Sequence, residues 1–281
     1  MPKLIAVEEH KAKADAFRAM HHGRKILLLP NAWDVASARI FEEAGFGAIA
    51  TTSAGVAFTL GYPDGQRISR TEMLDRVALI AREVKVPVTA DAEAGYGDRP
   101  EDAAQTALKV IEAGAAGMNL EDGTDDPSRS LLDLTLQLEK LRAVREAALT
   151  KDVPLVLNAR TDVYLLQVGA PGERYDQALR RLLAFRDAGA DCVFVPGLRD
   201  AETIARLVGD VQCPLNILAG PGFPSVPELE KLGVARVSLG SGPMRATLGL
   251  LKRMAEELKT AGTYKTMEGG PSHADVNRLL S

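Results

Sequence analysis

The amino-acid sequence predicts a (β/α)8 barrel. Three observations carry this: a phrase that closes a helix and opens a strand occurs four times, a phrase that opens a strand occurs three times, and the two interleave along 281 residues. The first phrase is Ala44-Gly45-Phe46-Gly47-Ala48-Ile49, Ala113-Gly114-Ala115-Ala116-Gly117-Met118, Ala188-Gly189-Ala190-Asp191-Cys192-Val193 and Leu232-Gly233-Val234-Ala235-Arg236-Val237. Its glycine suits the left-handed position after a helix, and the apolar run beyond suits a strand buried on both faces. The second phrase is Val86-Pro87-Val88, Val153-Pro154-Leu155 and Cys213-Pro214-Leu215, with proline where a strand begins without needing an amide donor.

Taken in order, with an opening strand from Ile26 to Leu29, strands are expected near residues 26, 48, 88, 117, 155, 192, 215 and 236. Between them lie stretches of helical periodicity such as Asp102 to Ala113 and Asp176 to Ala188. Alternating strand and helix favours a parallel sheet, and eight such units favour its closure. An open dinucleotide-binding sheet would carry G-x-G-x-x-G after its first strand, where Pro30-Asn31-Ala32-Trp33-Asp34 stands. The expected organisation is one domain over residues 1–281, with an extra helix before Arg24 and a polar tail, Thr263 to Ser281, that is helical only when packed on a partner.

The formal net charge of -4 is spread over mixed acids and bases, which excludes a nucleic-acid or anionic-membrane surface. No stretch has the apolar core of a secretory signal or the length of a membrane span. The two cysteines, Cys192 and Cys213, form no C-x-x-C pair, so neither a disulfide framework nor a zinc site is expected and a cytoplasmic setting is.

Barrels of this kind react at the carboxyl ends of their strands. There the sequence supplies Thr51-Thr52-Ser53-Ala54-Gly55, Asp91-Ala92-Glu93-Ala94-Gly95-Tyr96-Gly97, Glu121-Asp122-Gly123 and Asn158-Ala159-Arg160-Thr161-Asp162. Four acids from two adjacent strand ends repel one another in a low-dielectric mouth unless a cation lies among them. With oxygen donors and no histidine or cysteine, magnesium or manganese fits better than zinc. Asp91, Glu93 and Glu121 are the candidate metal residues, Asp91 binding directly and the others through water. Helix capping is the competing reading for acids at these positions; it explains Asp34, Asp200 and Asp98 but not a D-x-E doublet beside a second acidic pair.

Arg160 reads as a fork for a substrate carboxylate, or as an internal ion pair to Asp162 or Glu121. Ser53, Ala54 and Gly55 offer small residues and free amides to an anion. Asn158 and Asn216, polar residues on the fifth and seventh strands, complete the candidate substrate contacts together with Asp91.

At this point the sequence resembles the isocitrate lyase and phosphoenolpyruvate mutase superfamily. The resemblance runs from Leu29-Pro30-Asn31-Ala32-Trp33-Asp34 to Ser238-Leu239-Gly240, through Thr52-Ser53-Ala54-Gly55, Gly61-Tyr62-Pro63-Asp64, the Asp91 to Gly97 segment, Leu120-Glu121-Asp122 and Asn158-Ala159-Arg160-Thr161-Asp162. It implies a magnesium-dependent enzyme that makes or breaks a carbon-carbon or carbon-phosphorus bond beside a 2-oxo acid, through an enolate-like state. By position, Asp91 resembles the direct metal ligand, supported through water by Asp64, Glu93 and Glu121. Ser53, Ala54 and Gly55 resemble the carboxylate and oxo cradle, and Arg160 the second anchor. The superfamily is also typically tetrameric and exchanges C-terminal helices, which here implies a dimer or tetramer in which 241–281 pack on a neighbouring subunit.

The departures bear on the substrate. Lyases of the group carry a K-x-C-G-H loop after the fourth strand, and its mutases and phosphonopyruvate hydrolases a lysine and an asparagine; here Gly123-Thr124-Asp125-Asp126-Pro127-Ser128-Arg129-Ser130 stands instead. Proton handling is left to Tyr96, Ser128 or a metal-bound water oriented by Asp64. The loop itself is expected to be a mobile lid, with Thr124, Ser128 and Arg129 reaching the ligand. The leading expectation is a carbon-carbon lyase, decarboxylase or acylhydrolase of a small 2-oxo acid or dicarboxylate. The alternatives are phosphonate chemistry, and a 2-oxo-acid binding protein without turnover.

Overall fold

The computed structural model describes residues 7–124, 126 and 128–281. The four repeat glycines all take left-handed backbone, with φ of +88° at Gly45, +83° at Gly114, +99° at Gly189 and +85° at Gly233. Each thereby turns the chain from a helix into a strand, as the sequence pattern requires.

The strands are β1 (Leu27–Leu29), β2 (Asn31–Ala32), β3 (Ile49–Thr51), β4 (Val88–Asp91), β5 (Gly117–Glu121), β6 (Val156–Arg160), β7 (Cys192–Phe194), β8 (Leu215–Leu218) and β9 (Arg236–Ser238). All pair in parallel, in the order β1-β9-β8-β7-β6-β5-β4-β3-β2. The expected first strand, Ile26 to Leu29, forms as β1, and beyond Pro30, which cannot donate to a ladder, the chain runs on as the unexpected β2. β1 pairs with β9 and β2 with β3, so the covalent link between them closes the (β/α)8 barrel. Asn31 fastens this seam: its Oδ1 accepts from Leu239 N and Gly240 N at 2.7 and 3.0 Å, and its Nδ2 donates to Thr51 O at 2.8 Å.

One face of β5 to β9 packs Met118, Leu120, Leu157, Val193, Ile217 and Val237 into the main apolar core. The other face lines the barrel interior and carries a chain of bonded polar residues. Arg236 on β9 donates to Asn119 Oδ1 on β5 at 3.4 Å, a contact between non-adjacent strands that can only cross that interior. Asn158 donates to the same oxygen at 2.7 Å, and Asn216 pairs with Ser238. The expected N-terminal helix, Val7–Met20, plugs the lower end. Its fully buried Phe17 lies so close to Gly117, the first residue of β5, that a Cβ there would stand 2.9 Å from the ring.

The tail contains a helix, His273–Leu279, with Ser272 as its cap. Arg39 on helix Val35–Glu43 donates to Leu279 O and Ser281 O, both at 3.0 Å, and holds it on its own chain. Asp98 caps nothing, because Arg99 occupies the cap position of helix Pro100–Glu112 and Asp102 accepts from its amide. Asp34 and Asp200 do cap, accepting from Ser37 N and Thr203 N. No helix among the described residues is long and apolar enough to cross a membrane.

Candidate active site

Asp91, Glu121 and Arg160 are the last residues of three consecutive strands, β4, β5 and β6, so parallel pairing alone brings them to one rim. Ser53 joins them as the first residue of helix Ser53–Thr59, whose cap is Thr52. Asp91 Oδ2 accepts from Ser53 N at 3.0 Å and from Ser53 Oγ at 2.9 Å, and Oδ1 accepts from Asn119 Nδ2 at 3.3 Å. Asp64 reaches the same place from the following loop, its Oδ1 3.3 Å from Ser53 Oγ.

Glu93 is buried two residues beyond the strand, accepting from Tyr96 Oη at 2.9 Å and from Gln66 N at 2.5 Å. Burial, and then the charge of Asp91, push its carboxyl up to about 7. The same two causes raise Asp64. Burial and Glu93 hold the Tyr96 phenol far above its usual range, so it acts here as a protonated donor to Glu93.

Arg160 occupies the opposite side. Its Nη1 lies 2.6 Å from Glu121 Oε2, while Nε and Nη2 grip Asp162 at 2.6 and 3.1 Å. Burial raises the Glu121 carboxyl well above its ordinary value, and Arg160 works against that rise. Both internal ion pairs that compete with a substrate contact are therefore formed in this state of the site.

The structure brings together Ser53, Asp64, Asp91, Glu93, Tyr96, Glu121 and Arg160. Asn158 sits two residues below the rim, fully buried and bonded to Asn119, while Asn216, also fully buried, pairs in register with Phe194, the strand neighbour of Arg160. Asp122 also departs from the expected quartet of acids, because the strand pleat turns it outward. There Arg181 meets its Oδ2 at 3.1 Å, and burial pushes it up to about 6. Of the amides expected to be free, Ser53 N serves Asp91 and Gly55 N serves Thr52 Oγ1. Ala54 remains, in the first helical turn where no intrahelical acceptor exists.

Asn119 is the residue that the sequence reading missed. The signal was available: Asn119 lies two residues before Glu121 in an otherwise apolar strand, hence on the same face. Cys192 and Cys213 are both kept as neutral thiols by burial, Cys213 at about 11, and neither lies at the rim. The expected lid, Gly123 to Ser130, falls partly outside the described residues; its stem is an antiparallel bridge between Gly123 and Leu131.

Among the described residues no three acidic, histidine or cysteine side chains converge tightly enough to enclose an ion by themselves. The donor set nevertheless fits a hard cation that keeps much of its water, since the groups there with lone pairs to give are carboxylate and hydroxyl oxygens and the charge of Asp91 raises both Glu93 and Asp64.

Fold and rim together define a barrel with an acid-lined mouth and an arginine held between two carboxylates. The chain belongs to the phosphoenolpyruvate phosphomutase family, whose model matches residues 17–259. A putative lyase/mutase from Burkholderia cenocepacia superposes with a TM-score of 0.92 at 38% identity, covering 98% of this chain and 97% of that one. The probable 2-methylisocitrate lyase 1 of Corynebacterium glutamicum is 30% identical over 90% of this chain and 84% of its own length. Oxaloacetate acetylhydrolase, solved with its product oxalate, superposes with a TM-score of 0.85 at 26% identity, covering 95% and 93%.

Proposed function

We propose that the protein is a cytoplasmic, magnesium-dependent carbon-carbon lyase, decarboxylase or acylhydrolase of a small 2-oxo acid or dicarboxylate. The observation that carries this is the facing of two charge systems across one rim: Asp91 with Ser53, Asp64 and Glu93 on one side, Arg160 with Glu121 and Asp162 on the other. Asp91 would hold the ion, with Asp64, Glu93 and Glu121 in support through water. The ion supplies a Lewis acid that stabilises negative charge developing on the 2-oxo oxygen.

This chain's residues do the rest. Arg160 turns part of its fork from Asp162 to a substrate carboxylate, a geometry in which two parallel hydrogen bonds form. Ser53 and the amide of Ala54 meet the oxygens at the other end of that fragment. Asp64, its carboxyl raised by burial and by the charge of Asp91, orients a water at the reacting carbon. The relatives named 2-methylisocitrate lyase and oxaloacetate acetylhydrolase support carbon-carbon chemistry. The absence of a lysine and an asparagine from the Gly123 to Ser130 segment weighs against phosphonates.

Helix Gly242–Thr260 has Met244 as its single buried residue and exposes Leu248, Leu251 and Leu258, which supports packing against a second copy in a dimer or tetramer. Sedimentation measures that state.

Calorimetry with oxalate, a planar mimic of a pyruvate enolate, tests the site. Binding is expected with magnesium and not after chelation; equal affinity in both removes the metal assignment. Turnover of oxaloacetate without phosphate release from phosphonopyruvate is the expected activity, and the reverse result selects carbon-phosphorus chemistry.

A further inference from the structure

The loop that carries Glu93 runs through left-handed backbone, with φ of +50° at Glu93, +90° at Gly95, +57° at Tyr96 and +157° at Gly97. Side-chain-bearing residues persist in such conformations only where their surroundings over-determine them. Three side chains from outside the loop do so. Gln66 Oε1 accepts from Tyr96 N at 2.7 Å, and Thr106 Oγ1 donates to Gly95 O at 2.7 Å. Lys140 Nζ donates to Ala94 O at 2.6 Å and to Gly97 O at 2.8 Å.

Lys140 is the unusual member. It projects from helix Leu134–Thr150 and is 1% exposed, among the largest fully buried side chains of the described residues. Its hydrogen bonds there run to these two carbonyls and to no carboxylate. Asp98, Asp102 and Glu121 favour its charge only from a distance, and an ammonium stripped of water with no carboxylate in contact among the described residues weakens a fold that an apolar side chain of the same length would serve. What the charge does instead is bridge the carbonyl of Ala94, the residue after Glu93, to that of Gly97, the residue after Tyr96.

We propose that Lys140 is a positioning residue of the active site: by tying Ala94 to Gly97 it sets the turn from which Glu93 and Tyr96 face Asp91. Its consequence for ligand binding rests on the function proposed above; its hold on the loop does not.

The test compares Lys140→Met with Val144→Ala, a substitution of a fully buried residue on the same helix that makes none of the loop's hydrogen bonds. Two readouts are taken: hydrogen exchange at residues 93–97, and magnesium-dependent oxalate affinity. Lys140→Met should speed loop exchange and weaken oxalate by about tenfold or more, the usual effect of losing a group that orients a metal site. Val144→Ala should lower Tm and change neither. Lys140→Arg, which keeps charge and donors, should recover part of both losses. If Lys140→Met does not fold, Lys140→Gln is read the same way. Unchanged exchange at 93–97 in the Lys140 variants, or equal acceleration in Val144→Ala at matched Tm, overturns the proposal. If the wild type binds no oxalate with magnesium, the proposed function fails while loop exchange still decides the role of Lys140.

Discussion

Glu121 and Arg160 stand opposite one another in register at the ends of β5 and β6, joined by an ion pair of 2.6 Å. Asp162 holds the other edge of the same guanidinium, so two largely buried carboxylates depend on one cation. Removing it strands both.

Arg160→Met should therefore lose about 3 kcal/mol of stability at pH 7, the order expected when one member of a buried pair is deleted. Burial already raises Glu121, and without Arg160 it rises further. A carboxyl with a raised folded pKa is protonated and harmless at low pH and loses stability as pH rises through that value. The deficit should shrink toward pH 5. Urea midpoints at both pH values check this; a pH-independent deficit would show that lost packing dominates.

Asp91→Ala should fold and lose magnesium and oxalate together. Asp91 is a rim residue whose charge raises both Glu93 and Asp64, so its removal relieves repulsion while freeing the Ser53 and Asn119 donors. Circular dichroism and calorimetry on one preparation measure both halves. Unfolding would mean that the carboxylate serves structure first.

Gly123→Ala should damage the arginine side of the rim. A Cβ there would stand 2.5 Å from Asp162 Oδ2, and Asp162 cannot swing away without releasing Arg160. Overpacking of this kind costs about 1–3 kcal/mol. Combining it with Asp162→Ala removes the clash, so the pair should be markedly non-additive in denaturation. Additive losses would place the strain elsewhere.

His21 should make the protein acid-sensitive. Its Nδ1 lies 2.8 Å from Phe17 O and its Nε2 lies 3.4 Å from Arg236 Nη1, an arrangement that suits a neutral ring accepting from the guanidinium. Burial, then Arg236, lower its pKa to about 3. A base with a depressed folded pKa contributes full stability above its unfolded value of 6.5 and loses it as pH falls toward 3. His21→Gln should flatten the stability slope between pH 6 and 4 by up to about 1.4 kcal/mol per pH unit. Parallel curves for variant and wild type would exclude His21 as the group responsible.

Much of the rim was legible because strand ends are local facts. The D-x-E doublet, the Glu121-Asp122 pair and Arg160 each follow an apolar run that identifies its own terminus, and pairing in parallel brings their last residues together. The depth of Asn158 was not legible because position along a strand does not say how deep a layer lies, and it falls two residues below Arg160. Asp122 was miscounted for a related reason: of two adjacent acids only one faces inward, and the pleat chooses.

By itself the sequence determined the alternation of strands and helices, the closure implied by eight units, and the acidic and basic residues available at the carboxyl ends. These depend on periodicity, on glycines that need left-handed backbone and on prolines that start strands, all properties of neighbouring residues. The tertiary structure alone decided that the barrel seam falls at Pro30 between β1 and β2, that a polar chain from Arg236 through Asn119 to Asp91 crosses the interior, and that Lys140 bonds to the Glu93 loop. Each of these joins residues far apart in the chain, and a buried polar group acquires its role only from the partner that folding brings to it.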